Sequence, residues 1–233
     1  MYFQSSSRVV GNPSPVKRSK ALFREANVQT APHLLLDASS EEERAGAGAA
    51  VASSFGYPVV VKPNCQGSSV GFSFVLRAEE LDEALRLAGN FGGECVVERY
   101  IAGREITAAI LEGEALPLVE IIPEGGFYDY KRKYTKGTSR YVAPAELDAK
   151  TSERVRREAV RAFRALACRD YARIDLRLSD DGESYCLEVN TLPGMTELSL
   201  VPMAAKAAGL SFEELVERIV GAAAERKNRT RSG

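Results

Sequence analysis

Two short segments near the carboxyl end of the chain alternate strictly between polar and apolar residues. They are Arg-Ile-Asp-Leu-Arg at 173–177 and Leu-Glu-Val-Asn at 187–190, and a Pro-Gly pair follows the second segment closely. Because side chains at positions i and i+2 of a strand point to the same face, each segment is predicted to be a strand with one polar face. If the two strands pair, four polar side chains share one patch: Arg173, Asp175, Glu188 and Asn190.

The chemistry of this patch favours a divalent metal ion. Carboxylate and amide oxygens are ligands that Mg²⁺ prefers, and Mg²⁺ keeps further positions for water and phosphate oxygens. The alternative is that these residues are ordinary charges at the edge of a sheet. Each side chain alone fits either interpretation, whereas the presence of all four in this order favours the metal site.

The composition excludes several classes of function. A net charge of −1 over 233 residues gives no overall field that attracts nucleic acid or an anionic membrane. No apolar run approaches the roughly 20 residues of a membrane span. One histidine and four scattered cysteines argue against a Cys/His zinc site and a histidine-based triad. We therefore expect no nucleic-acid partner, no membrane partner, and a cytoplasmic protein with reduced thiols.

The order of predicted elements divides the chain into a tag-like start, a helical segment, two α+β lobes and a tail. The corresponding ranges are 1–7, 8–30, 31–100, 101–226 and 227–233. Within the lobes, Ser40 and Ser211 each precede acidic residues in a pattern that predicts the first turn of a helix.

A Gly-Ser-Ser-Val-Gly loop at 67–71 lies between two predicted strands of the smaller lobe. Its backbone N–H groups and the hydroxyls of Ser68 and Ser69 can bind an anion, although a simple Gly-Ser turn has the same composition. Lys62 ends the valine-rich strand before this loop. That lysine either reaches solvent or meets a partner such as a nucleotide phosphate.

Two carboxylates, Glu98 and Glu105, lie at the exit of one predicted strand and at the start of the next. Acidic residues in such places can accept hydrogen bonds from a nucleoside, and a surface charge pair is the alternative. Further along, the segment 127–134 alternates aromatic and basic residues. Such a run could bind single-stranded nucleic acid. However, the run is short, lies within one long loop at 123–140 and belongs to a neutral chain, so it fits better as a lid that carries a lysine to a phosphate.

Taken together, these motifs resemble those of D-alanine–D-alanine ligases, the ATP-grasp enzymes of peptidoglycan synthesis. The motifs are Lys62-Pro63, the loop at 67–71, Gly103-Arg104-Glu105, the segment 127–134, Arg173-Ile174-Asp175, the run 188–195 and Ser199-Leu200-Val201-Pro202. The resemblance covers about residues 9–223, and the Asn-Thr-Leu-Pro-Gly-Met-Thr run is its most specific part. It implies an α+β ATP-grasp fold, in which two lobes with antiparallel sheets enclose a nucleotide crevice.

The resemblance implies ATP and two Mg²⁺ (or Mn²⁺) ions as cofactors. The implied metal ligands are Asp175, Glu188 and Asn190. The implied contacts to phosphate are Lys62, Ser69 and Lys133, the last carried by the lid segment. The implied contacts to adenine and ribose are Glu98, Arg99, Tyr100, Ile101 and Glu105.

The implied reaction joins two D-alanine molecules. One carboxylate attacks the γ-phosphate of ATP to give an acylphosphate, and an amine then displaces phosphate. Arg173 and the backbone N–H of Gly194 would stabilise the negative charge that develops. Ser199 and Leu200 would bind the carboxylate of the second D-alanine, while Ser68 and Tyr134 would form part of a network near the first.

The family carries an N-terminal Rossmann-like domain that has no counterpart in this sequence, and Lys17 is offset from the family's adenine-site lysine and is not assigned. We expect the central and C-terminal portion of such a ligase, with a homodimer or an N-terminal domain in trans as its protein partner. Two alternatives stay open: an ATP-grasp ligase for another carboxylate and amine, and an ATP- and Mg²⁺-binding module without catalysis.

Overall fold

The structure of the protein, a computed structural model, describes residues 8–9, 12–13, 16–65, 70–123 and 139–231, with side chains between 16 and 225. The chain divides into two compact units, and the boundary falls between Ala102 and Gly103. Each unit has its own antiparallel sheet. None of the described helices combines the length and the apolar character that a membrane span requires.

In the part of the first unit that the structure describes, there are a four-stranded main sheet and three helices. Its elements are β1 (Arg8–Val9), β2 (Asn12–Pro13), α1 (Val16–Glu25), β3 (His33–Asp37), α2 (Glu41–Ser54), β4 (Val59–Pro63), β5 (Ser73–Val75), a 3₁₀ turn (Ala78–Glu80), α3 (Leu81–Gly89) and β6 (Glu94–Arg99). β1 and β2 form a separate hairpin, and the main sheet has the order β3-β6-β4-β5. The side chain of Ser40 accepts a hydrogen bond from the Glu43 N–H, which confirms the predicted start of α2.

Helices α2 and α3 cover one face of this sheet. Val59 of β4 is fully buried there in a core that includes Val51 of α2 and Leu85 of α3. Because side chains alternate along a strand, Lys62 of β4 lies on the opposite face. The register Val60↔Glu98 puts Glu98 of β6 on that same face. The sheet therefore separates an apolar helical core from a face that carries buried charge.

The described residues of the second unit form a six-stranded sheet and three helices. Its elements are β7 (Arg104–Leu111), β8 (Glu114–Ala115), β9 (Val119–Pro123), β10 (Ser139–Val142), α4 (Ala149–Ala165), β11 (Tyr171–Leu178), β12 (Ser184–Asn190), α5 (Leu200–Ala207) and α6 (Phe212–Arg231). The strand order is β10-β9-β7-β11-β12, with β8 paired to β7. The segment predicted as a long loop after Pro123 falls mainly on residues 124–138, which lie outside the described part of the chain.

Helices pack on both faces of this sheet. α4 packs against β7, β11 and β12 through an apolar stripe in which Val155, Ala159 and Phe163 are buried. On the other face, α5 and α6 form a second apolar core with β7 and β9. The predicted capping box of α6 is also confirmed, since Ser211 and Glu214 exchange hydrogen bonds of 2.7 and 3.1 Å. The polar residues of β11 and β12 share this second face.

Candidate active site

The register of β11 and β12 brings together the four polar residues that the sequence pattern singles out. Arg173 lies opposite Asn190 and Asp175 lies opposite Glu188, so all four side chains occupy one face of the sheet. The predicted strand pairing is confirmed. The intervening Ile174 is fully buried on the other face.

Asp175 is the centre of this cluster because it accepts hydrogen bonds from two neighbours. The Arg173 guanidinium donates to both carboxylate oxygens, with Nε–Oδ1 at 2.9 Å and Nη2–Oδ2 at 2.7 Å. The hydroxyl of Thr107 on β7 donates to Oδ1. Thr107 lies directly opposite Asp175 in the sheet and was not predicted from the sequence. The carboxylate is thus held in one orientation from two sides.

Arg173 lies within ion-pair distance of both carboxylates of the cluster. Its Nη2 lies 4.0 Å from Glu188 Oε1 as well as 2.7 Å from Asp175. Burial alone would lower the pKa of this guanidinium, but the charges of Asp175 and Glu188 outweigh burial and raise it. Arg173 and Asp175 are both buried, so a stable positive charge lies beside oxygen donors in a site largely removed from bulk water.

The donor set fits Mg²⁺ in its chemistry. Asp175, Glu188 and Asn190 offer two carboxylates and one amide oxygen on adjacent strands, and such hard oxygen ligands suit Mg²⁺, which also retains water and phosphate ligands. Asn190 Oδ1 accepts a hydrogen bond from the Leu192 N–H at 3.0 Å, which fixes its side chain. Among the described residues, no group of three His, Cys, Asp or Glu side chains is placed to hold a metal by itself. A metal at this site therefore needs the asparagine and non-protein ligands as well.

Glu105 is buried in a second ion pair on the same face of the sheet. Its carboxylate lies 3.4 Å from Arg177 Nη2, and Arg177 Nη1 also donates to the Gly103 carbonyl at 2.9 Å. The sequence did not predict this pairing. The predicted contact between Glu105 and a ribose stays a prediction, and it would have to be made beside this ion pair.

In the first unit, Glu98 and Lys62 form a buried ion pair that a third residue joins. Glu98 Oε1 lies 3.0 Å from Lys62 Nζ and 2.9 Å from Lys20 Nζ of α1. Burial alone would raise the pKa of the Glu98 carboxyl, but the two ammonium groups outweigh it and lower that pKa to about 2. Sequence reasoning missed Lys20. The available signal was its spacing of three residues from Phe23, which places a lysine on the buried face of α1.

The residues predicted to contact adenine differ in how their side chains lie. Tyr100 and Ile101 are buried, and the Tyr100 ring packs edge-on against Phe74 with centroids 4.9 Å apart. The Tyr100 N–H already donates to the Pro58 carbonyl at 3.0 Å. Because the Ile101 side chain has no polar group, any hydrogen bond from Ile101 to a base would come from its backbone. Arg99 is partly exposed at the end of β6.

The turn after β12 brings Gly194 against Ser199. A Cβ atom added at Gly194 would come within 2.8 Å of Ser199 Oγ, so this contact depends on glycine. Ser199 Oγ accepts a hydrogen bond from the Thr196 N–H at 3.0 Å and makes no capping bond to α5. Leu200 is buried in the apolar core, so its predicted contact with a carboxylate can involve only its backbone. Helix N-termini favour such anions.

Four predicted site residues lie outside the described part of the chain: Ser68, Ser69, Lys133 and Tyr134. Among the described site residues, two groups of polar side chains are in mutual contact, one group in each unit. One combines Lys20, Lys62 and Glu98, and the other combines Thr107, Arg173, Asp175, Glu188 and Asn190.

Comparison with known proteins identifies the family. A family model described as "D-ala D-ala ligase C-terminus" matches residues 22–221. The chain belongs to this family. The predicted resemblance to D-alanine–D-alanine ligases is confirmed.

Individual relatives support the same assignment. The chain is 44% identical over 202 residues to a D-alanine–D-alanine ligase of Methylacidiphilum infernorum, covering 87% of this chain and 63% of the relative. It is 50% identical over 171 residues to that of Geobacter sulfurreducens, covering 73% of this chain and 54% of the relative. The chain thus spans between half and two thirds of the length of these relatives.

The fold agrees as well. A crystal structure of the Bacillus anthracis D-alanine–D-alanine ligase complexed with ATP superposes with a TM-score of 0.75 at 31% identity, covering 94% of this chain and 68% of that one. The predicted α+β ATP-grasp class is confirmed by this similarity and by the mixed helices and antiparallel sheets.

Proposed function

We propose that the protein carries the ATP-grasp part of a D-alanine–D-alanine ligase, which joins two D-alanine molecules through an acylphosphate for peptidoglycan precursors. The observation that carries this proposal is the register that places Arg173, Asp175, Glu188 and Asn190 on one face, in a chain of this family. Phosphoryl transfer requires mainly positioning and neutralisation of charge. A buried arginine beside carboxylate and amide oxygens supplies both.

The two units then correspond to the small and large ATP-grasp lobes. In the first, Lys62 supplies a positive charge for an ATP phosphate, and the buried charges around Glu98 support the adenosine end. In the second, Asp175, Glu188 and Asn190 hold two Mg²⁺ (or Mn²⁺) ions. Bound there, Mg²⁺ would neutralise the phosphate charge and polarise the phosphoryl group under attack.

The acyl-transfer step requires groups that stabilise an oxyanion. Arg173 is protonated at neutral pH, as guanidinium groups in proteins are, so it can donate to oxygen atoms that become negative. The Gly194 backbone N–H adds a second donor. The first turn of α5 supplies backbone N–H groups for the carboxylate of the incoming D-alanine, since Ser199 does not cap it. Ser68, Ser69, Lys133 and Tyr134 complete the proposed site.

The proposed partners are small molecules, ATP and D-alanine, with a second copy of the chain as a protein partner. The structure places none of the four cysteines, all of which it describes, in a disulfide. This supports a cytoplasmic location, because disulfides are rare in that reducing compartment.

The test of the proposed function measures phosphate release from ATP with Mg²⁺, in the presence and absence of D-alanine. Release that requires D-alanine supports the proposal. Release that requires another amino acid, such as D-serine, and fails with D-alanine would favour a ligase for a different amine. ATP binding without release under any condition would favour a nucleotide-binding module.

Replacing Thr107 with valine should weaken the metal-dependent steps while keeping the fold. Valine matches threonine in shape but cannot donate to Asp175. A hydrogen bond to a charged group contributes roughly 1.5–3 kcal/mol, so phosphate release and Mg²⁺-dependent ATP affinity should fall about tenfold. Thr107→Ser restores the hydroxyl and should recover most of the loss. Equal activity of the valine and serine variants would show that this hydrogen bond does not position Asp175.

A further inference from the structure

The buried charges around Glu98 do not balance. One carboxylate oxygen faces two ammonium groups, Lys20 and Lys62, at 2.9 and 3.0 Å. All three side chains are less than a tenth exposed. His33 lies directly opposite Glu98 in the sheet. Burial and then the charge of Lys20 lower the pKa of His33, while the charge of Glu98 opposes this effect. Within this group of side chains, one positive charge is left over for an anion.

The two lysines are not held equally. Besides Glu98, Lys20 Nζ donates to Thr30 Oγ1 at 2.7 Å and to the Ala31 carbonyl at 3.2 Å. Lys62 Nζ, in contrast, forms an ion pair with Glu98, and the described residues provide no further contact for it that the structure records. Lys62 also precedes Pro63 at the very end of β4. Lys62 can therefore leave Glu98 by breaking a single ion pair, whereas Lys20 is fixed by several contacts.

We propose that Lys20 is a positioning residue that keeps Glu98 neutralised and in place, so that Lys62 can transfer from Glu98 to an anionic group of a ligand. The inference rests on the proposed function in one respect, namely that this anion is a phosphate of ATP. With a single lysine, the same transfer would leave a buried carboxylate without a counter-charge, which is strongly unfavourable. The second lysine removes that penalty.

The test compares ATP affinity in the full chain, measured by calorimetry, for the wild type and for Lys20→Met. In this variant Lys62 becomes the sole counter-charge of Glu98, and ATP should bind at least about tenfold more weakly. Adenosine has no phosphate to draw Lys62 away, so its affinity should stay within about twofold. Lys20→Arg keeps the charge and should retain ATP affinity. Arg18→Met is the matched control, since Arg18 lies on the same helix with an exposed side chain.

The double variant Lys20→Met/Glu98→Gln separates positioning from a structural role. Glutamine needs no counter-charge, so Lys62 is released again. Because Glu98 is also a predicted adenine contact, ATP affinity is compared with adenosine affinity in the same variant, and this ratio should recover most of the loss. Unfolding followed by circular dichroism identifies any variant that fails to fold, and the Lys20→Arg and double variants then decide the question. An unchanged ATP affinity in Lys20→Met, a parallel loss for adenosine, or a loss that the double variant does not recover would each overturn the inference. If the wild type binds no ATP at all, both this inference and the proposed function are wrong.

Discussion

Replacing Asp175 with asparagine is expected to reduce Mg²⁺-dependent phosphate release by at least about a hundredfold, the scale seen when one preorganised electrostatic group is lost. Asparagine has nearly the same shape, but it removes the charge that would bind a metal ion and that faces Arg173 across 2.7 Å. The measurement is the rate of phosphate release together with ATP affinity at several Mg²⁺ concentrations. The Mg²⁺ dependence of ATP affinity should flatten along with the rate.

The same substitution also leaves Arg173 buried with less counter-charge. Breaking a buried ion pair typically costs about 3 kcal/mol or more, so the free energy of unfolding should fall by a similar amount. Activity must therefore be measured at a temperature where circular dichroism shows the variant to be folded.

The control for this prediction is Asp180→Asn, which makes the same chemical change in the exposed turn between β11 and β12. It should leave both phosphate release and stability unchanged. A folded Asp175→Asn variant with wild-type release would show that the carboxylate is not a metal ligand, and the proposed site in the second unit would be wrong.

The sequence was sufficient for the parts of the site that depend on local periodicity. Arg173 and Asp175 are two residues apart on one strand, as are Glu188 and Asn190 on the next, so a strand assignment alone fixes their shared faces. Helix starts followed in the same way from capping patterns, because Ser40 and Ser211 bond within their own first turns.

The contacts that sequence reasoning missed join residues far apart in the chain. Thr107 reaches Asp175 across 68 positions, and Lys20 of helix α1 reaches Glu98 of strand β6. Such pairs depend on which strands become neighbours and in which register, and local periodicity does not contain that information. A lysine on the apolar face of α1 signalled an unusual environment, but only the fold shows which carboxylate it meets.

Gly103→Ala is expected to destabilise the second unit by more than about 3 kcal/mol, because it combines backbone strain with a collision. Gly103 has φ +121°, a region that side-chain-bearing residues rarely adopt. A Cβ atom there would overlap the Leu178 carbonyl oxygen and come within 2.8 Å of Ser179 Cα, both of which are backbone atoms. The Gly103 carbonyl also accepts from Arg177, so a shift of this segment would disturb the ion pair with Glu105. Urea unfolding followed by far-ultraviolet circular dichroism measures the loss.

Gly113→Ala provides the matched control, because Gly113 also has a positive φ, at +84°, but nothing lies within 4 Å of its added Cβ atom. Its cost should be limited to the left-handed backbone, about 1 kcal/mol. The difference between the two variants therefore isolates the collision with β11. Equal costs at both positions would mean that the end of β11 yields easily, and the ion pair between Arg177 and Glu105 would then be less firmly held than its burial indicates.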